Sequence, residues 1–205
     1  MAKSDERFVF EPTGFDYVNP KAKVVIVGIT PGNSQQKGSR EGMSPREIKR
    51  KYAFAGTLRK NMVRMLDYVG VNSLLRIDSC ESFWEQDFDR VEMTSLLKDA
   101  TYVVGKRGKS MFKDTEIIAK SKELTEKYEN GFVRDCEQYK QAKLFVACGQ
   151  GVRCQGTEVS GIICIINMHL SHIFDKGELG SFDNRKLTTP LQSHCCFYMY
   201  KTAYS

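Results

Sequence analysis

The chain has 205 residues, with 31 lysines and arginines against 25 aspartates and glutamates, and therefore a formal net charge of +6. A hydrophobic content of 41% with 27% charged residues is typical of a folded globular domain and excludes disordered, collagen-like and coiled-coil chains. The sequence holds no apolar run long enough for a membrane span and no apolar signal-peptide core at its start. We therefore expect a single cytoplasmic domain over residues 1–205 with no membrane partner.

The seven cysteines are odd in number, and no Cys-x-x-Cys pair occurs among them. This pattern predicts reduced thiols rather than disulfides, and it favours neither a zinc ribbon nor an iron–sulfur cluster. Cys148, Cys154 and Cys164 are interpreted as small buried apolar residues. We expect no metal and no cofactor.

Four short apolar runs, rich in β-branched residues, predict strands over 23–28, 90–94, 143–148 and 161–167. The first, third and fourth are almost continuously hydrophobic, which is typical of parallel strands buried on both faces.

Helical patterns lie between these strands. The segment Ser44-Pro-Arg-Glu47 is a capping box with proline at the first helical position, and it predicts a helical region to Asp67, broken or bent near Gly56 and ended by Gly70. A second helix is predicted over about 112–129, with an inner stripe of Phe112, Ile117, Ile118, Leu124 and Tyr128. Residues 137–143 are interpreted as a helix end. Alternating strands and helices predict an α/β fold around a parallel sheet.

Ligands of such folds bind beyond the carboxyl ends of the strands. The loop Gly28–Gln36 follows the first strand, and its glycines and proline favour a tight turn that brings backbone N–H groups close to a ligand. It is not a Walker loop, and a plain turn remains the alternative. After the second strand, Thr94 and Ser95 place two hydroxyl groups at a strand end, where a capping role is the alternative.

Of the remaining two loops, only the second is a candidate for a catalytic role. Residues 148–153 are interpreted as mainly structural. Residues 167–177 hold His169 and His172, but a third clustered ligand is missing, so a metal site is the weaker interpretation. A histidine at the carboxyl end of a strand is a good catalytic candidate.

Three motifs in order carry a resemblance. They are Gly28-Ile-Thr-Pro-Gly32, Thr94-Ser-Leu-Leu-Lys98 and His169-Leu-Ser171. Their order, strand context and spacing resemble the uracil-DNA glycosylase superfamily, whose first motif takes forms such as Gly-x-Asn-Pro-Gly and whose last is typically His-Pro-Ser. Phe54 also falls where that superfamily often supplies an aromatic residue that stacks on the flipped base.

The resemblance implies a three-layer α/β/α sandwich around a four-stranded parallel sheet. The stretch over about 99–130 is longer than a minimal connection needs, so we expect an insertion there that shapes the DNA or base pocket. It implies hydrolysis of the N-glycosidic bond of a base flipped out of DNA. The implied catalytic residues are Thr30, Asn33 and His169, and the implied base-binding residues are Ile29, Gln35, Phe54 and Ser95. The implied DNA-binding residues are Gly32, Ser34, Leu170, Ser171, Phe174 and Lys176, with Lys106-Arg107-Gly108-Lys109 as a further candidate stretch.

Two departures from the superfamily bear on the substrate. Thr30 stands where Asp or Asn usually orients water, and Ser95 stands where an Asn usually reads the uracil edge. Because Ser is shorter and less discriminating, the pocket should be larger and admit a bulkier base. We therefore expect a glycosylase for a modified pyrimidine other than plain uracil, such as the glucosylated cytosines of phage DNA that some bacterial members remove in antiphage defence.

Alternatives from other classes stay open. One alternative is a catalytically silent nucleic-acid-binding protein of the same fold. Another is a uracil or thymine-mismatch DNA glycosylase, and a less favoured one is a hydrolase of free nucleotides or nucleosides. DNA is the expected partner, with no obligate protein partner, and the expected state is a monomer.

Overall fold

The structure is a computed structural model that describes residues 7–106 and 108–148 and the backbone of 163–166 and 197–200. The strands are β1 (Arg7–Glu11), β2 (Val24–Gly28), β3 (Val91–Ser95), β4 (Ala100–Gly105), β5 (Gly108–Met111), β6 (Leu144–Ala147), β7 (Ile163–Ile166) and β8 (Phe197–Tyr200). The α-helices are α1 (Asn33–Arg40), α2 (Pro45–Tyr52), α3 (Thr57–Tyr68), α4 (Val71–Leu75), α5 (Lys122–Tyr128) and α6 (Arg134–Cys136). Short 3₁₀ helices occupy Cys80–Trp84, Phe88–Arg90 and Thr115–Lys120, and Glu129–Val133 forms a π-helical turn.

A parallel sheet with the strand order β3-β2-β6 forms the centre of the described region. Val24 of β2 is in register with Val91 on one side and Leu144 on the other. Side chains along β2 alternate between two apolar clusters, so the sheet is buried on both faces. The three predicted strands at 23–28, 90–94 and 143–148 are confirmed.

A second, antiparallel sheet with the order β1-β4-β5 was not expected, and the prediction of one four-stranded parallel sheet in a three-layer sandwich is wrong. Phe10 pairs with Thr101, and β4 and β5 form a hairpin that closes where Gly105 pairs with Gly108. The residues interpreted as part of an insertion over 99–130 thus supply two strands of this sheet.

The predicted fourth parallel strand has a different partner in the part of the chain that is described. Ile163–Ile166 is a strand, but it pairs antiparallel with Phe197–Tyr200. A continuous apolar run indicates that a strand is buried on both faces, but it does not identify the neighbouring strand. The parallel sheet of the described residues therefore has three strands.

The helix signals were accurate for α2 and α3. Ser44 and Glu47 form the capping box with Pro45 in the first turn of α2, and the helical region divides before Gly56. Gly70 adopts a left-handed φ of 81° after α3. The prediction of one helix over 112–129 is wrong, because a 3₁₀ helix and α5 share that stretch, and the helix predicted at 137–143 ends at Cys136 instead.

The core consists of two clusters, one on each face of the parallel sheet. Val24 and Ile26 point towards α2, α3 and the 3₁₀ helix at Cys80–Trp84, whereas Val25 and Val27 point towards α5, α6 and the 3₁₀ helix before α5. Burial of this apolar surface is the main force that holds the helices against the sheet. Cys148 is buried at the end of β6, as predicted. Within the described ranges, no helix has the length and apolar character required to cross a membrane.

Candidate functional site

The carboxyl ends of β2 and β3 meet at one edge of the parallel sheet. Gly28 is in register with Ser95, and the pairing continues beyond the strands where the Leu96 and Leu97 N–H groups donate to the carbonyls of Gly28 and Ile29. This edge is the place where open α/β sheets bind their ligands. It brings the first two sequence motifs together.

Phe54 lies against this edge in an unusual backbone conformation. Its φ is 51°, a left-handed value that is rare for a bulky side chain and that marks strain when it occurs. The ring contacts Gly28 so closely that a methyl group on Gly28 would lie 3.3 Å from Cε1 of Phe54. Glycine at position 28 therefore allows the ring to reach the sheet edge, and Phe54 remains half-buried.

Hydrogen bonds to backbone carbonyls fix the segment that precedes Phe54. The Arg59 guanidinium Nη2 donates to the carbonyl of Lys51 at 2.7 Å and to that of Ala53 at 3.0 Å. Trp84 Nε1 also donates to the Ala53 carbonyl at 3.0 Å. These bonds offset the strain at Phe54 because they fix the carbonyl of the preceding residue.

The sequence reasoning missed Arg59 and Trp84. The Arg59 guanidinium lies 4.9 Å from the centre of the Trp84 ring, and partial burial lowers the pKa of Arg59. The only available signal was that Trp84 is the single tryptophan of the chain, since a buried indole N–H normally requires an acceptor.

The loop after β2 leads directly into α1. Gln35 uses both ends of its amide: Oε1 accepts from the Gly32 N–H at 3.0 Å, and Nε2 donates to the Tyr52 carbonyl at 2.9 Å. Gln35 is buried and therefore links this loop to the end of α2. Asn33 accepts a hydrogen bond from the Tyr102 hydroxyl at 2.9 Å, and Ser34 is exposed.

Two hydroxyl groups of the predicted site already have partners. Thr30 Oγ1 donates to the Asp99 carbonyl at 2.7 Å and accepts from the Thr101 N–H at 2.9 Å. Ser95 Oγ is buried and donates to the Leu97 carbonyl at 2.7 Å. Each hydroxyl retains acceptor capacity but has committed its proton. Their roles in orienting water and reading the base stay predictions.

The structure thus gathers part of the predicted site at the sheet edge and its adjoining loop. These residues are Ile29, Thr30, Gly32, Asn33, Ser34, Gln35, Phe54 and Ser95. The other predicted residues lie outside the described ranges. They are His169, Leu170, Ser171, Phe174 and Lys176.

Two ion pairs involve β3 and the segment that follows it. Lys49 from α2 pairs with Glu92, and both side chains are fully buried. Burial lowers the pKa of Lys49 to about 8, although the Glu92 carboxylate opposes that shift. Lys98 donates to Thr94 Oγ1 at 2.9 Å and pairs with Asp135 at 2.5 Å. The second motif is therefore bonded to α6 through its lysine.

Within residues 7–106 and 108–148, no group of three or more His, Cys, Asp and Glu side chains is arranged to hold a metal ion.

No protein-family profile matches the chain. The curated relative "Uncharacterized protein YoxB" of Bacillus subtilis (strain 168) is 29% identical over 101 residues, which cover 43% of this chain. The match spans 39% of the length of that relative.

Proposed function

We propose that the chain is a DNA glycosylase that hydrolyses the N-glycosidic bond of a flipped-out modified pyrimidine. The observation that supports this proposal best is Phe54, which is held in a left-handed conformation against Gly28 at the carboxyl edge of the sheet. A chain accepts such strain where a side chain must be presented in one place. A half-buried aromatic ring is a suitable platform for a base.

The surrounding groups fit the same chemistry. Gly28 leaves room for the ring, and the exposed Asn33 offers an amide N–H₂ group to water or substrate. The third motif, with His169, would supply the donor that stabilises negative charge on the leaving base. In place of the amide that reads uracil, the chain has the short Ser95 side chain, which favours a base larger than uracil.

Incubation of the full chain with duplexes that carry a single test base measures this activity. The test bases are uracil, thymine opposite guanine, 5-hydroxymethylcytosine and its glucosylated form. Abasic sites, revealed as strand breaks after alkali, are expected only with the substituted cytosines. Abasic sites from uracil alone would contradict the altered specificity.

A pair of variants links this activity to the ring. Because stacking on an aromatic ring contributes about 1–3 kcal/mol per base, Phe54→Ala should lower the single-turnover rate by about fivefold to 150-fold. Leu74→Ala removes an exposed apolar side chain elsewhere, on α4, and should leave the rate unchanged. Equal rates for Phe54→Ala and the unaltered protein would contradict the role of the ring.

One observation favours a second candidate function. Because the Thr30 hydroxyl donates to one backbone group and accepts from another, it is poorly placed to activate water. A catalytically silent nucleic-acid-binding protein would have this arrangement. It would bind the same duplexes without producing abasic sites from any of them.

A further inference from the structure

The excess positive charge of the chain is concentrated in one stretch. Residues 37–64 contain nine basic and two acidic side chains, a net charge of +7, whereas the whole chain carries +6. Helices α1, α2 and α3 occupy this stretch. The rest of the chain is therefore close to neutral, and the basic character of the protein belongs to three consecutive helices.

Several of these cations are neutralised by carboxylates. Lys49 is buried against Glu92, and Arg46 lies 2.5 Å from an Asp89 oxygen. On α1, the ion pairs are Lys37 with Glu41 at 3.7 Å and Arg40 with Glu11 at 3.9 Å. The neutralised charges thus lie on α1 and on α2 as far as Lys49.

The cations around Phe54 have no such partner. Arg50, Lys51, Arg59 and Lys60 make no ion pair with a carboxylate in the part of the chain that the structure describes. Arg59 is engaged with backbone carbonyls, but Arg50, Lys51 and Lys60 are exposed. Exposed cations therefore flank the aromatic ring on both sides in sequence.

The segment between them, residues 50–60, is termed the α2–α3 junction. Its residues from Ala55 to Leu58 are small or apolar and exposed, and no heavy atom lies within 4 Å of the position that a Gly56 Cβ would occupy. No acidic residue occurs between Glu47 and Asp67. The junction is thus open and cationic, and its own sequence contains no carboxylate that would repel a polyanion.

We propose that the α2–α3 junction binds the sugar–phosphate backbone of DNA beside the nucleotide that stacks on Phe54. This inference rests on the proposed function for the identity of the polyanion, and it assigns Arg50, Lys51 and Lys60 as phosphate-binding residues. Each cation that neutralises a phosphate releases condensed counterions, and the affinity then falls steeply with salt. Contacts of this kind fix the register of a duplex without reading its sequence.

Fluorescence anisotropy with a labelled duplex of about 20 base pairs tests the proposal over a series of salt concentrations. The variant Arg50→Gln/Lys51→Gln/Lys60→Gln should lower the slope of log K against log salt by about 2–3, because each phosphate contact contributes about 0.9. At about 100 mM salt, its affinity should fall at least about tenfold. The variant Lys51→Gln/Lys60→Gln keeps the Arg50 bond to the Trp84 carbonyl and should lose about two contacts.

A matched control removes three exposed lysines near the opposite end of the parallel strands. In Lys21→Gln/Lys140→Gln/Lys143→Gln the net charge falls by the same amount, and the salt dependence of binding should stay unchanged. Equal weakening by both triple variants would overturn the assignment of the junction but leave the glycosylase proposal standing. A wild-type protein that binds no duplex at about 50 mM salt would overturn both.

Discussion

At the scale of single residues, the candidate site depends on bonds that no local sequence pattern indicates. The aromatic side chain of Phe54 was predicted to stack on a base, and the structure adds the reason why its ring can reach the sheet edge. The ring packs against Gly28, and Arg59 and Trp84 both donate to the carbonyl of Ala53. These two donors follow Ala53 by 6 and 31 residues, so their convergence arises from packing.

The buried Lys49–Glu92 ion pair leads to a prediction about stability. Lys49→Met leaves the Glu92 carboxylate buried without its cation, and the free energy of unfolding should fall by about 3–5 kcal/mol. In Lys49→Met/Glu92→Gln both charges are absent, and the amide oxygen introduced at position 92 can still accept from the Asn19 N–H. The double variant should recover most of the lost unfolding free energy. Urea unfolding monitored by Trp84 fluorescence measures this. A single variant as stable as the wild type would contradict this.

The same double variant serves as the reference for a pH measurement. Since burial lowers the pKa of Lys49 from 10.5 to about 8, the unfolded chain retains a proton between about pH 8 and 10.5 that the folded protein has lost. Unfolding free energy should therefore rise with pH in this window relative to the double variant. If the difference in unfolding free energy between the two proteins does not change with pH over this range, Lys49 keeps its charge in the folded protein.

At the scale of elements, the sequence predicted those helices that carry terminal signals. The capping box at Ser44 and the glycines at 56 and 70 located α2 and α3 well. Helix α1 was interpreted as a loop because its residues, Asn33–Arg40, include no large apolar side chain. It buries Gln35, Gln36 and Gly38 instead, so the hydrophobic period on which helix prediction depends is absent.

The close approach of α1 to α2 predicts the effect of a single methyl group. A Cβ at Gly38 would lie 2.9 Å from the Tyr52 ring and 3.1 Å from Ile48. Gly38→Ala gains helix propensity of about 1 kcal/mol, but crowding in a packed contact costs about 1–3 kcal/mol. We expect a net loss of stability in thermal unfolding and weaker DNA binding, because Gln35 bonds the end of α2.

The exposed Lys37 on the same helix supplies the control for that variant. Lys37→Ala gives up only a surface ion pair with Glu41, so its melting temperature should stay close to that of the wild type. An increase in melting temperature for Gly38→Ala would contradict the expected crowding between α1 and α2.

At the scale of the whole molecule, the sequence located the strands of the parallel sheet but not the second sheet. Apolar runs identify buried strands, whereas strand order and direction depend on which segments meet in space. The stretch that holds the β4–β5 hairpin was interpreted as an insertion because it is longer than a minimal connection needs, and length alone does not indicate that a segment pairs with β1. The two sheets share apolar contacts, because Phe8, Phe10 and Val103 pack against the cluster that contains Val25 and Val27. Thr30 adds a polar link, since its Oγ1 accepts from the Thr101 N–H of β4.

Substitutions of Thr30 therefore test how much its hydrogen bonds contribute to the stability of the two sheets. Thr30→Val keeps the shape but leaves the Thr101 N–H without its acceptor and removes one of the two hydroxyl groups that donate to the Asp99 carbonyl, which should cost about 1–3 kcal/mol of unfolding free energy. Thr30→Ser retains the hydroxyl and should lose clearly less in the same urea titration. Because both variants alter the same position, their difference isolates the hydrogen bonds from the packing of the methyl group. If valine is tolerated as well as serine, the apolar contacts of Phe8, Phe10 and Val103 are sufficient to hold the two sheets together, and the Thr30 hydroxyl is not required for stability.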